Sequence, residues 1–366
     1  MNEQLFACFG EIMLRLAAPG KQRLAQALPG TLDATYGGGE ANVCASLAML
    51  GKNARYLTAL PDNAISKAFA AQLRGIGADT SRILYTKDGR MGIYYVEHGA
   101  AQRPSNVIYD RAGSVISESG PECYDFASML EGCTHLHLTG ITPSLSEKAY
   151  LATLAMAEKA SSMGIMISCD LNFRKKLWKW KPGYSAKELA GECMEKIVAA
   201  ADVIIGNEED AADVFGIHAA NTAVDSGKLN VDGYKDVAAQ LAAKFPKAKF
   251  VAITLRESIS ADHNNWGAML YDVANAKAFF APLDVNGNYK PYEIKDIVDR
   301  FGGGDSFCAG LIFALNTPEY ADPQTAIRFA VAASCLKHTI SGDYNYTSRS
   351  EVETLMKGSG SGRVQR

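Results

Sequence analysis

Three consecutive glycines and an aspartate precede an apolar run near the carboxyl end of the chain, in IVDRFGGGDSFCAGLIFAL at residues 297–315. Gly302, Gly303 and Gly304 allow the backbone to approach a ligand closely, and the N–H groups of a helix start favour a negative charge. The pattern predicts a phosphate site with Asp305 opening a helix beside it, where its carboxylate can accept a proton from an attacking hydroxyl. The structural alternative is a helix cap, because Asp is common at helix starts and Gly in turns.

A second glycine-rich helix start occurs near the amino end, in YGGGEANVCASLAMLG at residues 36–51. Gly38 and Gly39 precede the predicted helix, and Glu40 and Asn42 lie in its first turn. Two such starts in one chain predict that two halves of a ligand site meet. The structural alternative is that Glu40 complements the helix dipole.

Polar residues alternate after a predicted strand in SCDLNFRKKLW, residues 168–178. A period of two puts Asp170, Asn172 and Arg174 on one face of an extended chain. Polar groups that converge at a strand end favour a binding site over a solvated face. Arg174 is suited to bind a carboxylate or a phosphate through two parallel hydrogen bonds.

A fourth polar segment, IIGNEEDAADVFG at residues 204–216, begins with a buried strand. Asn207, Glu209 and Asp210 follow that strand directly. Acidic residues in a first helical turn are usually explained by the helix dipole. Glu209 and Asp210 are also candidates to hold Mg²⁺ through water, since this ion keeps several waters and takes few protein carboxylates.

These segments follow apolar runs that alternate with helical patterns along the chain. The alternation predicts an α/β fold, a doubly wound and mostly parallel sheet flanked by helices. In such folds ligands bind beyond the carboxyl ends of the strands. The predicted strands are residues 5–9, 55–60, 135–138, 165–171, 203–206 and 250–255.

Two stretches, residues 11–36 and 90–111, interrupt the alternation. The second contains MGIYYVEHG and SNVIYDR, two β-like runs. Together the two stretches predict a small β-sheet that leaves the main body, either as an ordinary edge hairpin or as a lid over the site. We expect residues 1–366 to form one domain with this appended sheet, and the Gly/Ser-rich tail at 358–366 to be flexible.

Composition excludes several classes of function. The 366 residues are 48% hydrophobic and 21% charged, and the formal net charge of −3 argues against a nucleic-acid partner. We expect no membrane partner, because no run approaches the roughly 20 apolar residues that span a bilayer, and the amino end does not resemble a signal peptide. The eight scattered cysteines argue against a zinc site and favour a reducing cytoplasm.

Taken together, the four segments resemble the ribokinase-like, PfkB-type carbohydrate kinases over nearly the whole chain. GGGDSF is similar to the family's G-A-G-D signature, and NEED stands where the family has N-x-x-E. The resemblance implies a doubly wound α/β domain with a small β lid that often contributes to a dimer. It also implies ATP and Mg²⁺ as cofactors, Asp305 as the catalytic base and residues 302–304 as the start of an anion hole.

The sequence departs from the family pattern at two places. Asp210 stands where the family usually has the Glu near Mg²⁺. TLRESISADHNNW, residues 254–266, replaces a glycine-rich nucleotide loop. The assignment of Asn207, Thr254 and Arg256 as ATP contacts rests on the resemblance alone.

Within the family, FGEIMLRL, the small β-sheet and DLNFRKKLW are most similar to 2-keto-3-deoxygluconate kinases, which hold an open-chain sugar acid. An acid substrate also gives arginines a charged partner, whereas a neutral hexose would leave a desolvated charge unpaired. The alternatives are a fructokinase- or ribokinase-like kinase of a neutral sugar, a noncatalytic sugar-binding protein, and Arg111 in a surface ion pair. By resemblance the substrate-binding residues are Gly38, Gly39, Asn42, Tyr94, Tyr109, Arg111, Asp170, Asn172 and Arg174.

Overall fold

The computed structural model describes residues 4–219 and 231–358. The strands in these ranges are β1 (Leu5–Phe9), β2 (Met13–Ala17), β3 (Asp33–Gly37), β4 (Asn53–Leu57), β5 (Ala59–Pro61), β6 (Leu84–Thr86), β7 (Gly92–Glu97), β8 (Asn106–Asp110), β9 (His135–Thr139), β10 (Met166–Asp170), β11 (Val203–Gly206), β12 (Phe250–Ser260), β13 (His263–Asp272), β14 (Lys277–Ala281) and β15 (Tyr292–Ile294). The α-helices are α1 (Leu24–Ala27), α2 (Gly39–Met49), α3 (Ala64–Gly75), α4 (Val115–Glu118), α5 (Phe126–Met129), α6 (Glu147–Ser162), α7 (Ala186–Val198), α8 (Glu208–Phe215), α9 (Val231–Lys244), α10 (Gly303–Leu315), α11 (Pro323–Lys337) and α12 (Arg349–Met356).

A large central sheet organises the described part of the chain. Its parallel strands lie in the order β4-β1-β9-β10-β11-β12, and β13, β14 and β15 extend it in antiparallel fashion beyond β12. The order reverses at β1, which lies between β4 and β9. A crevice at the carboxyl ends of the strands near such a reversal is the usual ligand site of this architecture.

Hydrophobic cores cover both faces of the central sheet, because alternate residues of a strand point to opposite faces. In β1, Ala7 and Phe9 belong to the core that packs beneath α6 and α7, whereas Phe6 and Cys8 belong to the core beneath α2, α10 and α11. The near-continuous apolar strands seen in the sequence therefore reflect a sheet that is buried on both sides. The predicted doubly wound α/β fold is confirmed.

A separate four-stranded sheet has the order β3-β2-β7-β8. It is built from two distant parts of the chain, and β2 joins them by pairing antiparallel with β3 and parallel with β7. Its buried face carries Met13, Ala17, Tyr94 and Val96, which pack with Phe301 of the segment before α10. The contact brings the small sheet against the glycine turn at residues 302–304.

Two predicted boundaries change in the structure. The helix expected to open at Asp305 begins at Gly303, with Gly302 as its N-cap. The strand expected at 250–255 continues to Ser260 and forms a long antiparallel hairpin with β13. The flexible tail predicted at 358–366 lies outside the described residues except for Gly358. None of the helices in the described part of the chain is long and apolar enough to cross a membrane.

Candidate active site

The glycine turn before α10 fixes the position of Asp305. Gly302 has φ of +76°, and a Cβ at this position would lie 2.0 Å from the backbone oxygen of Asp343. A residue with a side chain is therefore excluded on both conformational and steric grounds. The turn leads into the first residues of α10, so the free N–H groups of the helix start and the Asp305 side chain lie together.

Two cavities meet at Asp305. The larger has a volume of about 340 Å³ and lies at the ends of β10, β11 and β12; we call it the sheet cavity. The smaller, about 120 Å³, lies between α2 and the small sheet; we call it the small-sheet cavity. The residues that line both are Asn172, Arg174, Phe301, Gly302 and Asp305. These five residues therefore form the boundary between the two cavities.

Asp305 is half-buried, and burial raises its pKa to about 6. A hydrogen bond from Asn42 Nδ2 to Asp305 Oδ2, 2.7 Å long, favours the charged form, and the nearby charge of Asp343 disfavours it. At neutral pH the carboxylate is mostly ionised and has a pKa close to the working range of a general base.

The small-sheet cavity brings together most of the residues assigned to the substrate. Tyr94 is buried, whereas Tyr109 is exposed at the rim, and their ring centroids are 6.2 Å apart. Gly38 leaves room for the backbone, since a Cβ there would lie 2.1 Å from the oxygen of Glu11. The predicted residues on this lining are Gly38, Gly39, Asn42, Tyr94, Tyr109, Arg111, Asn172 and Arg174, together with Asp305.

Arg111, which the resemblance assigns to substrate binding, is already paired with a carboxylate in the structure. Its Nε donates to Glu11 Oε2 at 2.8 Å, and Nη2 contacts the same oxygen. Ser114 Oγ donates to Glu11 Oε1 at 2.6 Å. Arg111 therefore does form an ion pair, as the alternative interpretation expected, but the pair is buried and not at the surface. Much of its charge is already balanced by Glu11.

Arg174 has the opposite character. Its side chain is exposed where the two cavities meet, and Nη1 donates to the backbone oxygen of Phe173 at 3.0 Å. Among the side chains that the structure describes, no carboxylate lies within ion-pair distance of Arg174. It is therefore the more available of the two arginines for an anionic ligand.

Asp170 and Asn172 reach the site by a different route from the one predicted. The strand β10 ends at Asp170, and Asn172 adopts φ of +38°, so period-two alternation does not continue. The turn nevertheless keeps Asp170, Asn172 and Arg174 on the lining of the sheet cavity, and Asp170 does not reach the small-sheet cavity. Burial, followed by the charges of Asp210 and Asp305, raises the pKa of Asp170 well above its ordinary value.

Asn207 and Asp210 form a reciprocal cap at the start of α8. Asn207 Oδ1 accepts from the N–H of Asp210 at 2.7 Å, and Asp210 Oδ2 accepts from the N–H of Asn207 at 3.1 Å. Asp210 Oδ1 accepts from the N–H of Phe173 at 3.0 Å. Both residues line the sheet cavity, but both Asp210 oxygens already serve the backbone, whereas Glu209 is exposed beside them.

Thr254 and Arg256 lie on the same face of β12 and line the sheet cavity. In this chain the segment that departs from the family's glycine-rich loop is therefore a β-hairpin whose strand contributes side chains to the cavity. Arg300 lines it as well, from the segment before the glycine turn. Arg300 was not among the residues that the sequence suggested.

A buried charge network behind the small-sheet cavity was also missed. Arg15 Nη1 donates to Asp343 Oδ1 and Arg15 Nη2 to Asp299 Oδ2, each at 2.6 Å. Tyr94 donates its hydroxyl to Asp343 Oδ1 at 2.8 Å, and Asp343 lines the small-sheet cavity beside Asn42. The available signal in the sequence was Arg15, a charged residue in the strand MLRLA at a position whose side chain points toward the core. Asp343 follows α11 in an irregular segment with no comparable pattern.

Glu40 is fully buried beneath the site. Its Oε1 accepts hydrogen bonds from the hydroxyls of Thr139 at 2.7 Å and Thr142 at 2.8 Å, while Oε2 has no hydrogen-bond partner among the described residues. Burial raises its pKa to about 7 despite these bonds, and the charge of Asp305 contributes in the same direction. The helix-dipole interpretation of Glu40 is incomplete, because the carboxyl group packs inward between α2 and β9.

Comparison with known proteins identifies the class. The model of the pfkB family carbohydrate kinases matches residues 3–257. A 2-dehydro-3-deoxygalactonokinase of Haloferax volcanii is 29% identical over 356 residues, which are 97% of each chain. The crystal structure of a 2-dehydro-3-deoxygluconokinase from Thermotoga maritima has a TM-score of 0.86 at 41% identity and covers 97% of this chain and 100% of that one. A putative ribokinase II from E. coli, solved with ATP and Mg²⁺, has a TM-score of 0.74 at 18% identity, covers 97% and 99% of the two chains, and shares the fold.

The chain therefore belongs to the pfkB family of carbohydrate kinases. Its enzyme class, predicted from the order of the glycine-rich segments, is confirmed as a sugar kinase on the ribokinase-like fold.

Proposed function

We propose that this kinase transfers the γ-phosphoryl group of ATP to the terminal hydroxyl of an open-chain sugar acid, 2-keto-3-deoxygluconate, to give its 6-phosphate. The observation that carries the proposal is the position of Asp305, which lines both cavities next to the amides of the glycine turn. Arg174 stands at the same boundary without a carboxylate partner in the described ranges. The relatives named for 2-dehydro-3-deoxy sugar acids support the choice of substrate.

In this proposal the sugar acid occupies the small-sheet cavity. Arg174 and Arg111 face that cavity, and Arg174 has the larger unbalanced charge for the substrate carboxylate. Gly38, Gly39 and Asn42 form the floor, and Tyr94 and Tyr109 cover it from the small sheet. An acid substrate suits Arg174 better than a neutral sugar does, because the guanidinium can bind a carboxylate through two parallel hydrogen bonds.

The acceptor hydroxyl is activated by Asp305. Its carboxylate takes the proton as the hydroxyl oxygen bonds to the γ-phosphorus and the bond from that phosphorus to the ADP oxygen breaks. The N–H groups of residues 302–304 stabilise the negative charge on the transferring group. The small sheet acts as a lid that excludes water, which would otherwise accept the phosphoryl group.

The donor occupies the sheet cavity, with Asn207, Thr254 and Arg256 as its contacts. Within the described ranges no three acidic, histidine or cysteine side chains could hold a metal ion alone. The carboxylates that line the cavity nevertheless suit a cation that completes its coordination shell with water and phosphate. One sign of this concentration of negative charge is that the charges of Asp210 and Asp305 help to raise the pKa of Asp170. Mg²⁺ held through water near Glu209 and Asp210 would neutralise phosphate charge.

The neutral-sugar alternative remains the main competitor, because Glu11 already balances Arg111. The C4 epimer, 2-keto-3-deoxygalactonate, is a second acid candidate, supported by the relative from Haloferax volcanii. A noncatalytic sugar-binding protein has no use for a carboxylate of raised pKa beside an anion site.

The test is a coupled ADP-release assay with MgATP. The two keto-deoxy acids, gluconate, fructose and ribose are compared, with Asp305→Asn as the control. We expect turnover on a keto-deoxy acid that the substitution lowers at least ~10³-fold, in line with losing the general base and its charge at the attacking hydroxyl. Turnover on fructose or ribose instead would overturn the acid specificity. Binding of the acid without turnover would overturn the assignment as a kinase of this substrate.

We also propose that the protein is a homo-oligomer through the small sheet and resides in the cytoplasm. The edge strand β8 exposes the apolar side chain of Ile108 at 49%, on the opposite face of the strand from Tyr109, which suits a contact with a second copy. All eight cysteines are free, as expected in a reducing compartment. Light scattering of the wild type and of Ile108→Lys tests the interface. The proposal predicts a smaller assembly for the variant.

A further inference from the structure

Arg300 is a half-buried cation next to the glycine turn, two residues before Gly302. Its Nη2 donates to the backbone oxygens of Ser260 at 3.0 Å and Ala261 at 2.7 Å. These are neutral acceptors at the tip of the β12–β13 hairpin. The guanidinium lines the sheet cavity and also a third cavity of about 340 Å³ behind the turn.

The charge of Arg300 is not balanced within the protein. In the described part of the chain it has no carboxylate within 4.0 Å, and Asp262, whose charge favours it, is paired with Lys21 at 3.0 Å. Burial, followed by the like charge of Arg256, lowers the pKa of Arg300. A partly desolvated cation beside a second cation is costly unless an anion completes the site.

The surroundings indicate which anion fits. Arg300 and Arg256 line the same cavity as the free amides at the start of α10, a helix of 13 residues. The amides suit the transferring phosphate beside Asp305. Two guanidinium groups on the same cavity lining suit further phosphate groups of one chain, because each can donate two parallel hydrogen bonds.

We propose that Arg300, together with Arg256, binds the β-phosphate of the donor, so that the donor site selects for the number of phosphate groups. This inference rests on the proposed function only in taking the donor to be a nucleoside triphosphate. Arg300 is a phosphate-binding residue in this assignment, and its bonds to the hairpin hold its guanidinium in place before the donor arrives.

Arg300→Gln and Arg256→Gln are the variants to test, with Arg328→Gln as the matched control. Arg328 is an exposed arginine on α11 whose Nη2 donates to the backbone oxygen of Met356. We expect Arg300→Gln to raise the KM for ATP and the Kd for ADP by roughly tenfold or more, as for loss of charge-assisted hydrogen bonds. The Kd for AMP and the KM for the sugar should change less than about twofold. Inorganic tripolyphosphate should displace ADP from the wild type and from Arg328→Gln, but roughly tenfold less well from Arg300→Gln.

Equal weakening of ATP, ADP and AMP, or a lower kcat at unchanged KM for ATP, would assign Arg300 to support of the hairpin and overturn the proposal. If Arg300→Gln does not fold, two other variants carry the test. Arg300→Lys keeps the positive charge, and Arg256→Gln leaves intact the hydrogen bonds from Arg300 to the hairpin. The tripolyphosphate measurement needs no turnover. A wild type that binds tripolyphosphate through Arg300 but phosphorylates no sugar would therefore overturn the proposed function and leave this inference standing.

Discussion

The amide of Asn42 donates to Asp305 Oδ2 across 2.7 Å and joins the first turn of α2 to the first turn of α10. The orientation of the amide is set by the N–H of Gly38, which donates to Asn42 Oδ1 at 3.3 Å. The two glycine-rich helix starts, 263 residues apart in sequence, thus share one hydrogen bond at the proposed base. The bond favours the ionised form of Asp305 against the effect of burial.

Asn42→Leu should move the acid limb of the kcat/KM profile to higher pH. Asp305 is active when ionised, so activity is lost as pH falls through its pKa of about 6, and removing the donor raises that pKa further. We expect a shift of roughly one pH unit, from the loss of about 1.5 kcal/mol of charge-assisted hydrogen bonding. Rates measured from pH 5 to 9 give the result. An unshifted profile with a uniformly lower rate would separate Asn42 from the ionisation of Asp305.

Arg15→Met should destabilise the protein and lower kcat together. The guanidinium is 2% exposed and bridges Asp299 and Asp343, so its loss leaves two buried carboxylates without an ion-pair partner and with the charge of Lys337 as the remaining nearby cation. We expect about 3–5 kcal/mol less free energy of unfolding in urea, the usual cost of breaking a buried ion pair.

The matched control for Arg15 is Arg90→Met, which removes an ion pair of the same 2.6 Å length to Asp110. Both side chains of that pair are well exposed, so the expected loss is below about 1 kcal/mol. Addition of Asp299→Asn to Arg15→Met removes one of the stranded carboxylates and should recover part of the stability. Equal losses for Arg15→Met and Arg90→Met would contradict the structural role of the network.

Arg174→Gln should raise the KM for the sugar acid by roughly 10- to 100-fold, the effect of losing a hydrogen-bonded charge pair. Arg174 has no carboxylate within 4.0 Å among the described side chains, but its charge favours the ionised forms of Asp170, Asp210 and Asp305, so the substitution should also raise the pKa of Asp305. Arg111→Gln strands Glu11 and requires the double variant Glu11→Gln, Arg111→Gln for a fair comparison. Steady-state kinetics of these variants distinguish the two arginines. A larger increase in the KM for the sugar acid in the Glu11, Arg111 double variant than in Arg174→Gln would assign the substrate carboxylate to Arg111 on the small sheet.

Glu40→Gln should stabilise the protein more at pH 8 than at pH 5. The pKa of Glu40 is raised from 4.5 to about 7 in the folded state, so its contribution to stability is intact below 4.5 and is lost as pH rises through 7. The amide mimics the protonated carboxyl and removes this dependence, which amounts to at most about 3 kcal/mol. Urea unfolding at both pH values measures it. Glu118→Gln, at an exposed carboxyl, is the control, and a gain for Glu40→Gln that does not vary with pH would disprove the assignment.

The sequence by itself determined the parts of the protein that depend on local pattern. Apolar strands alternating with helices specify a doubly wound sheet, because strands buried on both faces need continuous hydrophobicity. The glycines at 302–304 predict a close approach of backbone and ligand, and in the structure Gly302 is required by the protein itself, because its φ is +76° and a Cβ there would lie 2.0 Å from the backbone oxygen of Asp343. The same reasoning placed Asp305 at a helix start, two residues later than the helix begins.

Only the tertiary structure decided how the charges are paired. Arg111 and Glu11 are 100 residues apart, and Arg15 lies 284 residues from Asp299 and 328 from Asp343. Nothing local in the chain links such residues. Arg111 meets Glu11 when β2, β7 and β8 pair, and Arg15 meets its two carboxylates when the small sheet packs against the segments before α10 and after α11. Whether an arginine is paired with a carboxylate, as Arg111 is with Glu11, or has none within 4.0 Å among the described side chains, as is true of Arg174 and Arg300, depends on these long-range neighbours. Burial, which raises the pKa values of Glu40 and Asp305, is likewise a property of the packed molecule and not of the sequence around each carboxyl.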